Sequence, residues 1–358
     1  MTPAEQTGLL LINLGTPDSP RSSDVRRYLR EFLSDPRVLD IPAWKRWLVL
    51  NLLILPFRPR RSGEAYAKIW TAQGSPLLQY GRELLAAMRQ RLEPGVLVEL
   101  GMRYGQPSIG EALQRLRRRG VRRIVAFPLY PQYSSAATGS SLEHLFGQAS
   151  ACVRVPYVQV VPPFYDHPAY IDAFAQVARP VIERVQPELV YFSFHGLPER
   201  QVARCDPTGG HCFQRPDCCE KVVAANRDCY RAQCHVTARL LAERLGVPEP
   251  QRRICFQSRL GRDPWIKPYT DLMLVEDARA GVRRAVILSP GFVADCLETL
   301  EELGLRGAAS WRENGGELLE LVPSLNATPA WADAAVRIAR EQTTWLGQPT
   351  PAARAAVR

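Results

Sequence analysis

GLLLINLG, residues 8–15, is a short apolar run closed by glycine, and runs of this kind recur along the whole chain. VLVELGMRYG, RRIVAFPLYPQ and RVPYVQVVPPF follow it in the first half, with amphipathic segments such as GEALQRLRRRG between them. ELVYFSFHG, RRICFQSRLG, RAVILSPGF and LLELVPSLN repeat the rhythm in the second half. Apolar, β-rich runs alternating with helices give parallel sheets built from βαβ units. Two sets of four such runs predict an α/β protein of two similar doubly wound domains, each around a four-stranded parallel sheet. The division falls at residues 1–165 and 166–358, with the joint near 162–170. Ligands of such sheets sit at the carboxyl ends of the strands. The candidates are therefore Asn13 to Pro17, Arg103 and Tyr104, Tyr130 to Ser141, His195 to Pro198, Gln257 to Trp265, and Pro290 to Glu298.

The chain has 358 residues, 46% hydrophobic and 23% charged, enough for two domains with real cores and inconsistent with a fibrous or disordered protein. Its net charge of +10 favours anionic partners: carboxylated small molecules, acidic lipid headgroups or nucleic acid. No basic strand interleaved with aromatics supports nucleic acid, and Arg117, Arg118 and Arg119 read as a solvated helix face. The N-terminal MTPAEQTGLLLINLG lacks the features of a signal peptide, so a cytoplasmic location is expected, with the nine cysteines as thiols or metal ligands. No apolar run reaches the roughly 18 to 20 residues of a membrane span. WKRWLVLNLLILPF, residues 44–57, comes nearest, and Lys45, Arg46 and Asn51 interrupt it. It reads either as an amphipathic surface segment or as a buried core helix.

His195 follows the apolar VYFSF and precedes Gly196 and Pro198, which places an imidazole on a tight turn at the mouth of a sheet. That position suits a general base or a metal ligand, and equally a packed histidine at a strand end. In PGFVADCLETLEEL, Asp295, Glu298 and Glu302 are spaced i, i+3 and i+7, so they share one helix face: either a solvated acidic surface or a carboxylate path for a divalent cation. FPLYPQYSSAATGSS carries Tyr130 and Tyr133 ahead of a hydroxyl-rich turn able to cap a helix. No Walker motif is present and LINLGTPDSP has too few glycines for a dinucleotide fingerprint, so the ligand is not expected to be a nucleotide. A large, flat, acidic organic molecule fits the mixture of aromatic, apolar and basic residues.

Eight segments in one order, LLINLGTPDSP, GSPLLQY, GMRYG, FPLYPQYSSAATGSS, FSFHGLPER, FQSRLGRDPWIKPYTD, SPGFVADCLETLEEL and LNATP, resemble the ferrochelatases over about residues 8–330. The resemblance implies two flavodoxin-like, chelatase-type halves around a porphyrin cleft. It also implies insertion of ferrous iron into protoporphyrin IX with release of two protons. His195 and Glu298 match the family's catalytic pair, which also handles the substrate iron. Leu14, Arg103, Tyr104, Tyr130, Ser134 and Trp265 fall in its cleft motifs. Ser75, with Arg60 or Arg61, falls where the propionates are held, and Asp295 and Glu302 extend a possible iron path. Leu14 stands where some relatives have methionine, and Cys296 where some have histidine. The same pair would serve a chelatase for another metal or tetrapyrrole, and a tetrapyrrole carrier would keep the cleft without needing Glu298.

CDPTGGHCFQRPDCC, residues 205–219, lies in an insertion at about 203–220. A disulfide knot conflicts with a cytoplasmic location, and the vicinal Cys218 and Cys219 bridge only under strain. Structural zinc uses closer pairs of cysteines than the six, five and zero intervening residues found here. Four thiolates from Cys205, Cys212, Cys218 and Cys219 suit a [2Fe–2S] cluster better, and some ferrochelatases carry one. Cys229 and Cys234 are the weaker ligand candidates, and His211 reads as a bystander. In the family, residues of about 41–61 form a hydrophobic lip of the cleft. This implies peripheral association with the anionic inner face of the cytoplasmic membrane, and it admits contact with the preceding oxidase.

Overall fold

The structure is a computed structural model that describes residues 6–259, 261 and 263–346. All eight apolar runs form strands. In the first half, β1 (Thr7–Gly15), β2 (Val96–Tyr104), β3 (Arg123–Pro128) and β4 (Tyr157–Val160) make a parallel sheet in the order β2-β1-β3-β4. In the second half, β5 (Leu189–His195), β6 (Arg252–Gln257), β7 (Arg284–Leu288) and β8 (Leu318–Leu321) are also parallel, in the order β6-β5-β7-β8. Counted within each half, both orders are 2-1-3-4, the flavodoxin-like arrangement. The central strands are apolar on both faces because helices cover both: Leu9, Leu10, Leu11 and Ile12 are fully buried, as are Tyr191, Phe192 and Phe194.

The covering helices follow the amphipathic pattern. In Ile109–Arg118, Ser108 and Glu111 form a capping box, and Ile109, Ala112, Leu113 and Leu116 make the buried face. Arg117, Arg118 and Arg119 are exposed, as a solvated face requires. The halves share one continuous apolar core. The helix Pro329–Gln342, last in the described chain, packs on Pro168–Val185 and reaches back to Pro76–Arg89. Phe164 stacks on Trp331 at 5.9 Å, and Arg91 pairs with Asp333 at 2.5 Å.

Among the described residues, three segments coil more widely than an α-helix: Val49–Ile54, Ser135–Gly139 and Glu298–Gly307. Such turns are rare and concentrate at functional sites. Ala136, Ala137 and Glu298, from two of them, line the same cleft. The third belongs to 44–57, where Trp44, Trp47, Leu52, Leu53 and Phe57 are all more than half exposed while Leu50 and Leu55 are buried. The segment is an amphipathic surface element, and the buried-core alternative is set aside. Among the described residues no helix is long and apolar enough to cross a membrane.

Candidate active site

The carboxyl ends of the strands of both sheets open onto one cleft of about 1220 Å³, its mouth included. From the first half, β1 delivers Asn13, Leu14, Gly15 and Thr16, and β3 delivers Leu129, Tyr130, Gln132 and Ser134. Gly15 has φ +120°, and a Cβ there would lie 1.8 Å from the Tyr104 carbonyl oxygen, so only glycine lets β1 turn against β2 at this point. Thr16 Oγ1 donates to Ser75 Oγ at 2.8 Å, tying the strand end to the helix Pro76–Arg89. Ser134 caps the wide turn after it by accepting from the Ala137 N–H at 3.1 Å. Burial pushes the Tyr130 hydroxyl up, and it exchanges a hydrogen bond with Ser141 at 3.1 Å.

The second half supplies an imidazole and a carboxylate. His195 ends β5 and Glu298 follows β7, and both line the cleft. The His195 Nδ1 lies 2.6 Å from the Gly196 carbonyl oxygen. A carbonyl only accepts, so Nδ1 carries a proton, and in the neutral ring the lone pair is then on Nε2. A Cβ on Gly196 would meet the Gln257 carbonyl oxygen at 2.8 Å and the Trp265 ring at 3.2 Å, so glycine permits the close turn. Trp265 and Phe292 flank the imidazole at ring-centre distances of 6.5 and 6.4 Å. Buried Gln257 accepts from Ser193 at 2.8 Å and donates to the Glu298 carbonyl at 2.9 Å, fixing the start of the wide helix that bears the carboxylate.

Leu14, Ser75, Tyr130, Ser134, His195, Trp265 and Glu298 thus meet in one cavity. Other sequence candidates lie elsewhere. Tyr104 is fully buried behind the wall and donates to Asp35 at 2.8 Å, and Arg103 pairs with Asp35 at 2.7 Å and donates to Ser140. Burial works to raise the Asp35 carboxyl, but hydrogen bonds from Ser140, the Arg37 N–H and Tyr104 outweigh it and hold the group low. This pair braces the wall and does not line the cleft. Arg60 and Arg61 are exposed, and Arg60 spends its charge on Glu64 at 3.2 Å.

Asp295 precedes the wide helix, which begins only at Glu298. Its buried carboxylate is taken up by Thr299 (2.9 Å), the Ser324 N–H (3.2 Å) and Asn326 (2.8 Å), so it does not share a free face with Glu298. Glu302 follows Glu298 by four residues, its carboxylate bound by the N–H and hydroxyl of Ser258. Burial raises it, against the pull of Ser258 and of His195.

Several cleft groups carry no sequence signal of their own. Tyr28 and Tyr66 come from the buried faces of two helices, and burial holds both hydroxyls neutral, with Glu298 adding to the effect. Tyr28 donates to the Gly15 carbonyl at 3.2 Å. Arg58, two residues before the expected cation, starts the helix Arg58–Ile69 on the exposed surface and does not line the cleft.

In the insertion, Cys212, Cys218, Cys219 and Cys229 are buried, with Cys218 and Cys219 sulfurs 3.8 Å apart. Cys229, ranked weaker from its spacing, is the N-cap of the helix Tyr230–Leu245 and is within hydrogen-bond reach of Cys219 and Cys212. Hydrogen bonds from Cys219 and from the Ala232 and Arg231 N–H groups lower its thiol to about 6 against the effect of burial. Burial pushes Cys205, which donates to the Gln201 carbonyl at 3.7 Å, up to about 11. Arg231 directs Nη1 at the Cys218 sulfur (3.7 Å), and its buried Nε has no partner. His211 bonds the Cys218 carbonyl at 3.0 Å and does not engage a sulfur there. Among the described residues, no three His, Cys, Asp or Glu side chains are placed to share one metal ion.

Two parallel sheets with their strand ends on a common cleft define the class: a two-halved α/β chelatase fold. The solved structure of SirB from Bacillus subtilis with Fe3+ has the same fold, with a TM-score of 0.53 over 95% of this chain and 96% of that one, at 12% identity. The family model described as Ferrochelatase matches residues 6–343, and the chain belongs to that family. Curated ferrochelatases from Coxiella burnetii (strain Dugway 5J108-111) and Pseudomonas fluorescens (strain Pf0-1) are 44% and 48% identical to it. The first match covers 93% of each chain, the second 91% of this chain and 95% of the relative. The chain is accordingly a metal chelatase that inserts iron into protoporphyrin to make heme.

Proposed function

We propose that His195 and Glu298 are the catalytic pair, His195 as acceptor of the pyrrole protons and Glu298 as the carboxylate that receives the substrate Fe2+. The observation that carries this is the His195 tautomer, which leaves Nε2 free to accept inside the apolar cleft. A free-base porphyrin holds two N–H groups and two lone pairs in a rigid plane, so the cation reaches all four nitrogens only once the ring is bent. Walls that fit the bent ring better than the flat one lower that barrier. Two protons leave as the iron's water is exchanged for pyrrole nitrogens. Imidazole and carboxylate together let the iron be dehydrated in steps. Leu14, Ser75, Tyr130, Ser134 and Trp265 hold the macrocycle. The halves divide at 165/166, although their shared last helix joins them.

The experiment measures binding and turnover separately. His195→Ala and Glu298→Ala are expected to lower kcat by about 10²–10⁴, with porphyrin affinity by fluorescence titration unchanged. Near-normal turnover in either variant removes that residue from the pair.

A [2Fe–2S] cluster held by four of Cys205, Cys212, Cys218, Cys219 and Cys229 is the reading we favour for the insertion. The donors suit it: four buried thiols and the half-buried Cys205, with the Cys229 pKa lowered, beside an arginine whose Nε is buried and unpartnered. When bound, it would supply a one-electron redox centre that metal insertion itself does not use, which makes it a structural staple or a sensor. Cys219→Ser is expected to lose visible absorption and acid-labile sulfide; zinc without sulfide in the native protein contradicts the cluster.

The exposed segment 44–57 is read as a lip that rests on the anionic inner face of the cytoplasmic membrane, where the sparingly soluble porphyrin is delivered. Trp44, Trp47, Leu52, Leu53 and Phe57 beside Lys45, Arg46, Arg60 and Arg61 support this. Contact with the preceding oxidase would occur at the same surface.

A further inference from the structure

Arg200 lies five residues beyond His195 and belongs to neither the cleft lining nor the core. It is the second residue of the short helix Glu199–Ala203, which begins directly after the cleft residue Pro198. Its guanidinium bonds two carboxylates, Asp40 in the first half and Asp263 in the second. Arg204, one helical turn on, adds a second bond to Asp40 at 3.3 Å. Asp40 is nearly buried, its side chain 11% exposed.

Each anchor lies two residues along the chain from a cleft-lining side chain, Asp40 from Val38 and Asp263 from Trp265. Asp40 sits between two residues whose carbonyls, Leu39 and Ile41, accept from Arg46 on the lip helix Ala43–Leu48, at 3.2 and 3.0 Å. Val38, two residues earlier, lines the cleft. On the other side, Asp263 precedes Pro264 and Trp265. That segment is stitched to the His195 turn by Glu199 N–H to Pro264 carbonyl at 2.9 Å and Ile266 N–H to Leu197 carbonyl at 3.0 Å. Arg200 therefore spans the mouth, joining the base of the lip to the loop that carries Trp265 and to the turn that carries His195.

The geometry points to Arg200 as a positioning residue that fixes the width of the cleft mouth, so that the walls bend the porphyrin and hold it against His195. A planar guanidinium suits the task because its fork reaches two carboxylates at once, which an ammonium on a flexible stem does less well. Opening the mouth would let the flat ring bind while losing the fit to the bent one. Such a change lowers kcat without raising KM.

The inference rests on the porphyrin occupying this cleft, and the test keeps the two apart. In the full-length enzyme, Arg200→Ala is expected to fold normally by circular dichroism, since the side chain is 37% exposed and Asp40 keeps Arg204. Its kcat should fall on the order of tenfold with an unchanged or lower KM for porphyrin. Resonance Raman out-of-plane bands of bound metal-free porphyrin should weaken in parallel. Arg200→Lys should recover part of both, and Arg200→Ala with Asp40→Asn should be no worse than the poorer single variant. Unchanged kcat, a raised KM alone, or a lowered kcat with the ring still fully distorted each overturns the role for Arg200. Absence of distortion in the wild-type enzyme instead strikes the cleft reading itself.

Discussion

The two halves of this ferrochelatase share a strand order and differ in what stands at the strand ends. In the first half, β1 and β3 end in Leu14, Thr16, Leu129, Tyr130 and Ser134: apolar or hydroxyl groups with no free charge in the cleft. In the second, the equivalent strands β5 and β7 lead to His195 and Glu298. On the proposed roles, one wall holds the porphyrin and the other reacts with it. The repeated topology supplies two sets of strand ends facing one space, and a few side chains decide what each set does. The supporting groups divide the same way. Asp35, Arg103 and Tyr104 brace the first wall from behind, while Gln257 and Glu302 support the segments around His195 and Glu298.

Placing a charge on the holding wall is the strongest way to sharpen the contrast after removal of His195 or Glu298 themselves. Leu14→Glu should raise KM for porphyrin on the order of tenfold or more, because a carboxylate buried against the macrocycle has no partner. The kcat should change far less than in His195→Ala, and steady-state kinetics over a porphyrin series reads both. If kcat collapses while KM holds, the division of labour between the walls is wrong.

A smaller effect is expected at the lip. Trp47→Ser with Leu48→Ser should reduce co-sedimentation with anionic vesicles at low salt several-fold and slow use of membrane-delivered porphyrin, while turnover of detergent-solubilised substrate stays close to wild type. Unchanged vesicle binding would detach this surface from membrane delivery.

The smallest effect concerns Glu302, whose pKa is raised in the folded protein chiefly by burial. A raised folded pKa means that the native state holds its proton more tightly than the unfolded chain. The associated stability is present below the usual carboxylate range and is lost as pH rises through the folded value. Glu302→Gln keeps an acceptor for the Ser258 N–H and a polar partner for its hydroxyl. It should therefore raise the melting temperature by roughly 1–2 °C at neutral pH and flatten its decline between acid and neutral pH. A lower melting temperature at neutral pH would mean that the charged carboxylate is the stabilising form.

How much of this was legible depended on where each residue sits. Strands announced themselves because both faces of each sheet are covered, which turns them into apolar runs such as residues 8–15 and 188–196. His195 and Glu298 were visible because they follow such runs. Tyr28 and Tyr66 were not, since they come from helices whose buried faces look alike in sequence whether they meet a core or a cleft. Arg103 and Tyr104 were placed one layer too far forward: strand-end position gives the neighbourhood of the cleft but not which way a side chain turns. The acidic face failed at Asp295 because the helix begins three residues later and coils more widely than the spacing rule assumes. Linear spacing also does not reveal that the helix start at Cys229 folds back onto the cysteine loop, within reach of Cys219 and Cys212.

The central claim, that the first half holds the porphyrin and the second attacks its centre, is tested most directly by a crystal structure with a metal-free porphyrin bound. The account predicts a bent macrocycle between the β1 and β3 strand ends and the His195 turn, with the pyrrole nitrogens turned to His195 Nε2 and Glu298. A flat macrocycle, or one whose nitrogens face away from both residues, would contradict it.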